Sequence, residues 1–172
     1  MEIKFNALKK RVLRKKADKL RPLKSSTILP PDSYKKILLI SNTNNPGISD
    51  KIHSFFPNAE AYQLYQRPEK DDRSGNHQYA VHDSDFNLSG SLKNVKLTKL
   101  LKESFDLVID LSRNSVPLSF FAGSISSGLI IGRLTTQRGN IYDLLIDYGK
   151  DENEFLENIK KQLTLLSTNG FK

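Results

Sequence analysis

The sequence predicts an α/β fold: an open, mostly parallel sheet of about five strands with helices on both faces, plus a basic helical arm at the N-terminus. Three observations predict it. Strand-like and helix-like segments alternate along most of the 172 residues, a succession that builds parallel sheets through helical crossovers. The strand-like segments are apolar on both faces, as strands buried between two helical layers must be. The formal net charge of +8 is not spread along the chain but gathered at its start. The first two observations describe a Rossmann-like sheet, and the third describes what is attached to it.

The arm spans residues 1–24. It holds ten cations and two anions, Glu2 and Asp18, which leaves 17 cations against 17 anions in the rest of the chain. The whole formal excess therefore belongs to the arm, and the domain attached to it is neutral. Ala7 to Arg21 is built of Ala, Leu, Lys and Arg, good helix formers. Pro22 ends the helix, because proline disfavours the helical conformation in the residue before it. Phe5, Leu8 and Val12 recur at helical spacing with Leu20 near the same side, but Lys9 and Lys16 interrupt the stripe, so the helix is weakly amphipathic. Residues 25–34, with Pro30 and Pro31, read as a linker, and residues 35–168 as one domain.

The domain opens on Lys36 to Ser41, a short apolar run that reads as a buried strand. Asn42 to Gly47 is a polar loop in which Asn45 is suited to cap a helix carrying Pro46 at its first position. That helix runs to about Phe56, and Pro57 stops it. Glu60 to Gln66 has strand character, Arg67 to Asn76 is a charged loop, and Gln78 to Asp83 is a short strand. Asn87 to Gly90 reads as a turn, and Leu92 to Ser104 as a helix burying Leu97, Leu100 and Leu101. Phe105 to Leu111 (FDLVIDL) is the clearest strand, expected at the centre of the sheet. Val116 to Ser126 is a helix, Gly128 to Arg133 a strand, Tyr142 to Tyr148 (YDLLIDY) another, and Glu152 to about Leu166 the closing helix.

Composition excludes several classes. Without cysteine there is no disulfide framework, no thiolate metal site and no cysteine nucleophile. No apolar run approaches the roughly 20 residues that span a bilayer, and no apolar signal core comes after the basic start. The expected location is the cytoplasm.

In an open parallel sheet, ligands bind beyond the carboxyl ends of the strands. The residues falling there are Asn42, Thr43, Asn44 and Asn45 after the first strand, Ser112, Arg113 and Asn114 after FDLVIDL, and Arg133, Thr135 and Thr136 after GLIIGR. Asn42, Asn44, Asn45, Ser112, Arg113, Asn114 and Arg133 form the candidate crevice. Arg113 or Arg133 would serve a phosphate with backbone amides at a helix start. The first loop is neither GxGxxG nor a Walker motif. Gly123 to Gly128 is no GxSxG elbow, since it runs from helix into strand. His77 and His82 lie near Asp83 and Asp85, but their spacing fits no standard ligand set. Neither a metal nor a cofactor is expected. Asp106 and Asp110 bracket one strand, as Asp143 and Asp147 bracket another, and they read as strand-end residues.

The stretch FDLVIDLSRNSVPLSFFAGSISSGLIIGR, from Phe105 to Arg133, resembles part of the N-terminal domain of heptosyltransferase-type glycosyltransferases. It covers about a sixth of the chain. In those enzymes a second domain supplies most of the sugar-nucleotide site, so this resemblance implies a fold and not an activity. A fuller resemblance, nearly end to end, is to a small uncharacterised bacterial family of unknown function. It rests on the basic N-terminal helix, DSDFNLSG (Asp83 to Gly90), DLVIDLS (Asp106 to Ser112), IIGR (Ile130 to Arg133), YDLLIDY and FLENIKKQLTLL. It implies no catalytic residues.

The leading expectation is a non-enzymatic binding protein. Its arm, through Lys9, Lys10, Arg11, Arg14, Lys15, Lys16, Lys19 and Arg21, would engage an anionic partner, foremost RNA or a ribonucleoprotein such as the ribosome. One alternative is a glycosyltransferase-like single domain that binds a nucleotide sugar or another phosphorylated small molecule in the strand-end crevice. Another is a peripheral protein held on an anionic membrane by the same helix.

Overall fold

The computed structural model describes residues 2–19, 27–67, 77–113, 115–134 and 141–168. Its strands are β1 (Lys36–Ser41), β2 (Glu60–Gln66), β3 (Gln78–Val81), β4 (Ser104–Asp110), β5 (Ser126–Arg133) and β6 (Leu144–Ile146). They form one sheet in the order β3-β2-β1-β4-β5-β6, and every neighbouring pair is parallel. The sheet thus has six strands rather than about five. The sixth is three residues long. Tyr142 and Tyr148, read from sequence as strand ends, flank it.

The central position of β4 follows from its composition. Phe105, Val108 and Leu107, Ile109 face opposite sides, and all four are buried. A strand with two apolar faces needs a helix layer on each. The helices are α1 (Glu2–Lys19), α2 (Ile48–Phe55), α3 (Val95–Leu100), α4 (Val116–Ser124) and α5 (Glu152–Thr168). Ile48 and Ile52 of α2 join Phe155, Leu156, Ile159 and Leu163 of α5 on one face, with Ile37, Leu39, Leu107 and Ile109. Leu97 and Leu100 of α3 and Leu118 and Phe121 of α4 cover the other, with Leu38, Ile40, Val108 and Ile130. Strand order grows one way from β1 to β2 and the other way from β4 to β5. Right-handed crossovers then place α2 and α4 on opposite faces.

Local choices agree with this plan. Asn94 caps α3 by accepting from the amides of Lys96 and Leu97, which starts the helix three residues later than apolar periodicity alone suggests. Ser115 caps α4, accepting from Leu118 N. Asn45 is not the cap of α2. Its side chain accepts from Gly47 N at 3.2 Å, its carbonyl accepts from Ile48 N at 3.1 Å, and Gly47 takes the cap position. Pro46 therefore lies in a turn before the helix.

Gly132 of β5 faces the Tyr142 ring so closely that an added Cβ would stand 2.5 Å from Tyr142 Cδ1. Gly132→Ala is therefore expected to lower stability by about 1–3 kcal/mol, the usual cost of overpacking. Gly47→Ala, whose Cβ would meet only Asn45 Oδ1 at 3.8 Å, is the matched control. Equal urea midpoints for the two variants would refute the packing argument.

Candidate functional site

Two surfaces carry the residues singled out by sequence. The first is α1. It does not stand apart from the domain but packs against α4. Leu13 is 2% exposed and belongs to the core on that face. The neighbouring Asp83 to Gly90 segment receives the helix. Gly90 adopts φ +71°, and a Cβ there would lie 3.2 Å from both Leu13 Cδ2 and Val12 Cγ1. Glycine meets both demands at once, the left-handed backbone and the close approach. Lys9 Nζ donates to the Asp83 carbonyl. Burial, then the neighbouring Lys93, pulls the Lys9 ammonium below its ordinary pKa.

Docking sorts the cations. Lys9, Val12, Leu13 and Lys16 turn toward the domain, partly or fully buried, while Lys10, Arg11, Arg14 and Lys15 are exposed. At 3.6 residues per turn those four fall within roughly 140° of arc, opposite the docked side. Among the described residues none of the four has an ion-pair partner. The side chain of Lys19 and all of Arg21 lie outside the described residues, as do the side chains of Phe5 and Leu8.

The second surface is the sheet edge where strand order reverses, between β1 and β4. There Asn42 clasps the β4 loop: its Oδ1 accepts from Arg113 N at 2.6 Å, and its Nδ2 donates to the Arg113 carbonyl at 3.1 Å. Asp110, at the end of β4, is 1% exposed. Its Oδ1 accepts from Ser112 N at 2.8 Å and its Oδ2 from the Tyr142 hydroxyl at 2.6 Å. These bonds hold its carboxylate. The two candidate arginines meet on one ring. The Arg133 guanidinium carbon lies 3.5 Å and that of Arg113 5.8 Å from the centroid of Tyr148. Among the described residues Arg133 Nε is buried with no hydrogen-bond partner, which costs about 1–3 kcal/mol for a polar group shut off from water. Burial foremost, and Arg113 next, pull the Arg133 pKa below its ordinary value.

The other crevice candidates divide. Ser112 is buried, its amide held by Asp110. Asn45 Nδ2 donates to Glu152 Oε2 at 2.9 Å, where Lys51 also binds, so it ties α2 to α5 and does not point at a ligand. Asn44 is exposed. Asn114, Thr135 and Thr136 lie outside the described residues. Tyr148 was missed by the sequence reading. Its only signal is an aromatic residue two positions beyond an apolar run.

The strand-bracketing carboxylates serve backbone amides. Asp106 Oδ2 accepts from Lys35 N and Lys36 N, and Asp143 Oδ2 accepts from Ile130 N. His82 Nδ1 accepts from Ser84 N at 3.1 Å and caps a 3-10 turn. His77 stacks on Tyr62 with ring centroids 4.5 Å apart.

Residues 6–166 match the model of a family described as a family of unknown function, DUF6913. The match takes in the basic helix and the domain alike, as the end-to-end resemblance implies. No curated protein and no solved structure matches the chain.

Proposed function

The chain belongs to that family of unknown function, and from this premise we propose that it is a non-enzymatic binding protein whose outward α1 face engages RNA, alone or in a ribonucleoprotein such as the ribosome. The observation that carries the reading is the sorting of cations on α1. Lys10, Arg11, Arg14 and Lys15 form one exposed stripe without carboxylate partners among the described residues, on a helix whose other side is anchored. A fixed row of cations suits a phosphate backbone, where each contact releases a condensed counterion. Anchoring also lowers the ordering cost of binding relative to a loose arm. The membrane alternative is weaker. A helix lying in a bilayer surface needs an apolar face for lipid, and here Val12 and Leu13 face the domain. No helix among the described residues is long and apolar enough to cross a membrane. The reading places the protein in the cytoplasm.

The test is the salt dependence of binding to a single-stranded oligoribonucleotide. Four phosphate contacts give a slope of log K against log salt near −3, or about a 50-fold loss between 50 and 200 mM salt. Replacing Lys10, Arg11, Arg14 and Lys15 by Gln should bring the slope close to zero while leaving the urea midpoint unchanged, since Gln keeps helix propensity. Lys9→Gln should leave the slope as it is. Salt-insensitive binding by the parent, or an unchanged slope in the fourfold variant, would end the proposal.

A further inference from the structure

We infer that Arg113 and Arg133, gathered around Tyr148 at the carboxyl edge of the sheet, form a binding site for the phosphoryl groups of a small phosphorylated molecule. The site is separate from the α1 stripe and does not rest on it. Arg133 lies two residues beyond Ile131 in β5, so it projects on the α2/α5 face by strand periodicity, whereas α1 covers α4 on the opposite one.

Three other partly buried cations lie beside carboxylates. Arg67 lies 3.5 Å from Asp85, Lys36 reaches Glu103, and Lys51 lies 3.2 Å from Glu152. Arg113 and Arg133 share one aromatic ring instead, and among the described residues neither guanidinium has a carboxylate or a hydrogen-bond partner. The carboxylate of Asp110 is the smallest of the influences on Arg133, and it is bonded to Tyr142 and the Ser112 amide. Two cations held together without an anion repel one another, and a bound phosphoryl group would turn that repulsion into two charge-assisted contacts. The lowered pKa of Arg133 has the same origin, burial first and Arg113 second.

Both arginines are also held in place. Asn42 fixes the backbone of Arg113 from both sides. Arg133 ends β5, pairs with Ile146 of β6, and is succeeded by a bond from Leu134 N to the Ile146 carbonyl. Tyr148 is braced in turn by Phe155, with ring centroids 5.3 Å apart. The α4 N-terminus is already capped by Ser115, so the positive charge for a ligand comes from the two side chains. The place is the one where an open parallel sheet leaves a crevice, at the reversal of strand order. Arg133 is partly recessed, which suits a small molecule's terminal phosphates better than a polymer's diester backbone.

Calorimetric titration of the full chain with pyrophosphate tests the inference, with a 5′-hydroxyl oligoribonucleotide as the second arm. Saturable pyrophosphate binding is expected. Arg113→Gln and Arg133→Gln should each weaken it about tenfold or more, as loss of a charged hydrogen-bond donor does. The fourfold Gln variant of α1 should bind pyrophosphate like the parent. If Arg133→Gln does not fold, Arg113→Gln, at an exposed position, decides alone. Absence of saturable binding, or binding indifferent to the arginine substitutions, overturns the site. So does a loss confined to the oligoribonucleotide, which would make these arginines part of an RNA surface.

Discussion

Val108→Asp is expected to remove most of the stability of the domain. Val108 is fully buried, pairs with Leu38 of β1 on one side and Ile130 of β5 on the other, and faces the core beneath α4. An aspartate there has no cation within the apolar layer to meet it. An uncompensated buried charge costs about 3–5 kcal/mol, set against a total of about 5–15 kcal/mol for a native domain. Part of the cost can be escaped by protonation, so the loss should be smaller at pH 4 than at pH 8. Leu165→Asp, at a position 55% exposed, should change stability by no more than about 0.5 kcal/mol. Urea unfolding of the two variants measures the contrast. A Val108→Asp protein with the parent's midpoint would remove β4 from the centre of the sheet.

The prominence of β4 explains why so much of the fold was legible. A run such as FDLVIDL, with apolar residues on both faces and only a strand's length, has few places to go other than the middle of a covered sheet. The same constraint acts on α4. Val116, Leu118, Phe120, Phe121 and Ala122 are all buried, so the helix is apolar all round, and such a helix needs cover on its outer side as well. That cover is α1. The stripe Phe5, Leu8, Val12 leaves out Leu13, because the cations Lys9 and Lys16 flank the buried residue and blur the period. Lys9 tolerates that place because the Asp83 carbonyl receives its ammonium, a contact 74 residues away in sequence that no local pattern encodes.

The candidate crevice was legible as a location and not as a constellation. Strand ends can be read off a sequence, and Asn42, Ser112, Arg113 and Arg133 were found that way. What joins them depends on strand order. Asn42 reaches Arg113 only because β1 and β4 are neighbours, and Arg113 and Arg133 meet only because β4 and β5 are. Tyr148 completes the group because β6 ends two residues earlier than the YDLLIDY pattern suggests, which leaves the ring free to lie under the arginines. A seven-residue strand would have placed it in the pleat.

Leu13→Ala distinguishes a docked helix from a free arm. On a free arm the substitution would be neutral or slightly favourable, because alanine is the better helix former. In the docked helix Leu13 is 2% exposed and touches the Gly90 turn, so truncation leaves a cavity between α1, α4 and the Asp83 to Gly90 segment. Such truncations cost about 2–5 kcal/mol. For a chain of this size that corresponds to roughly 2–4 °C of Tm per kcal/mol. The cations are untouched in this variant, so any loss of oligoribonucleotide affinity would report the loosening of the stripe and not its charge. The fourfold Gln variant should behave in the opposite way, with the parent's stability and none of its salt-dependent binding. Removing residues 1–24 should combine both defects, exposing the outer side of α4 and lowering the urea midpoint at least as far as Leu13→Ala. A Leu13→Ala protein that melts with the parent would show that α1 contributes nothing to the core.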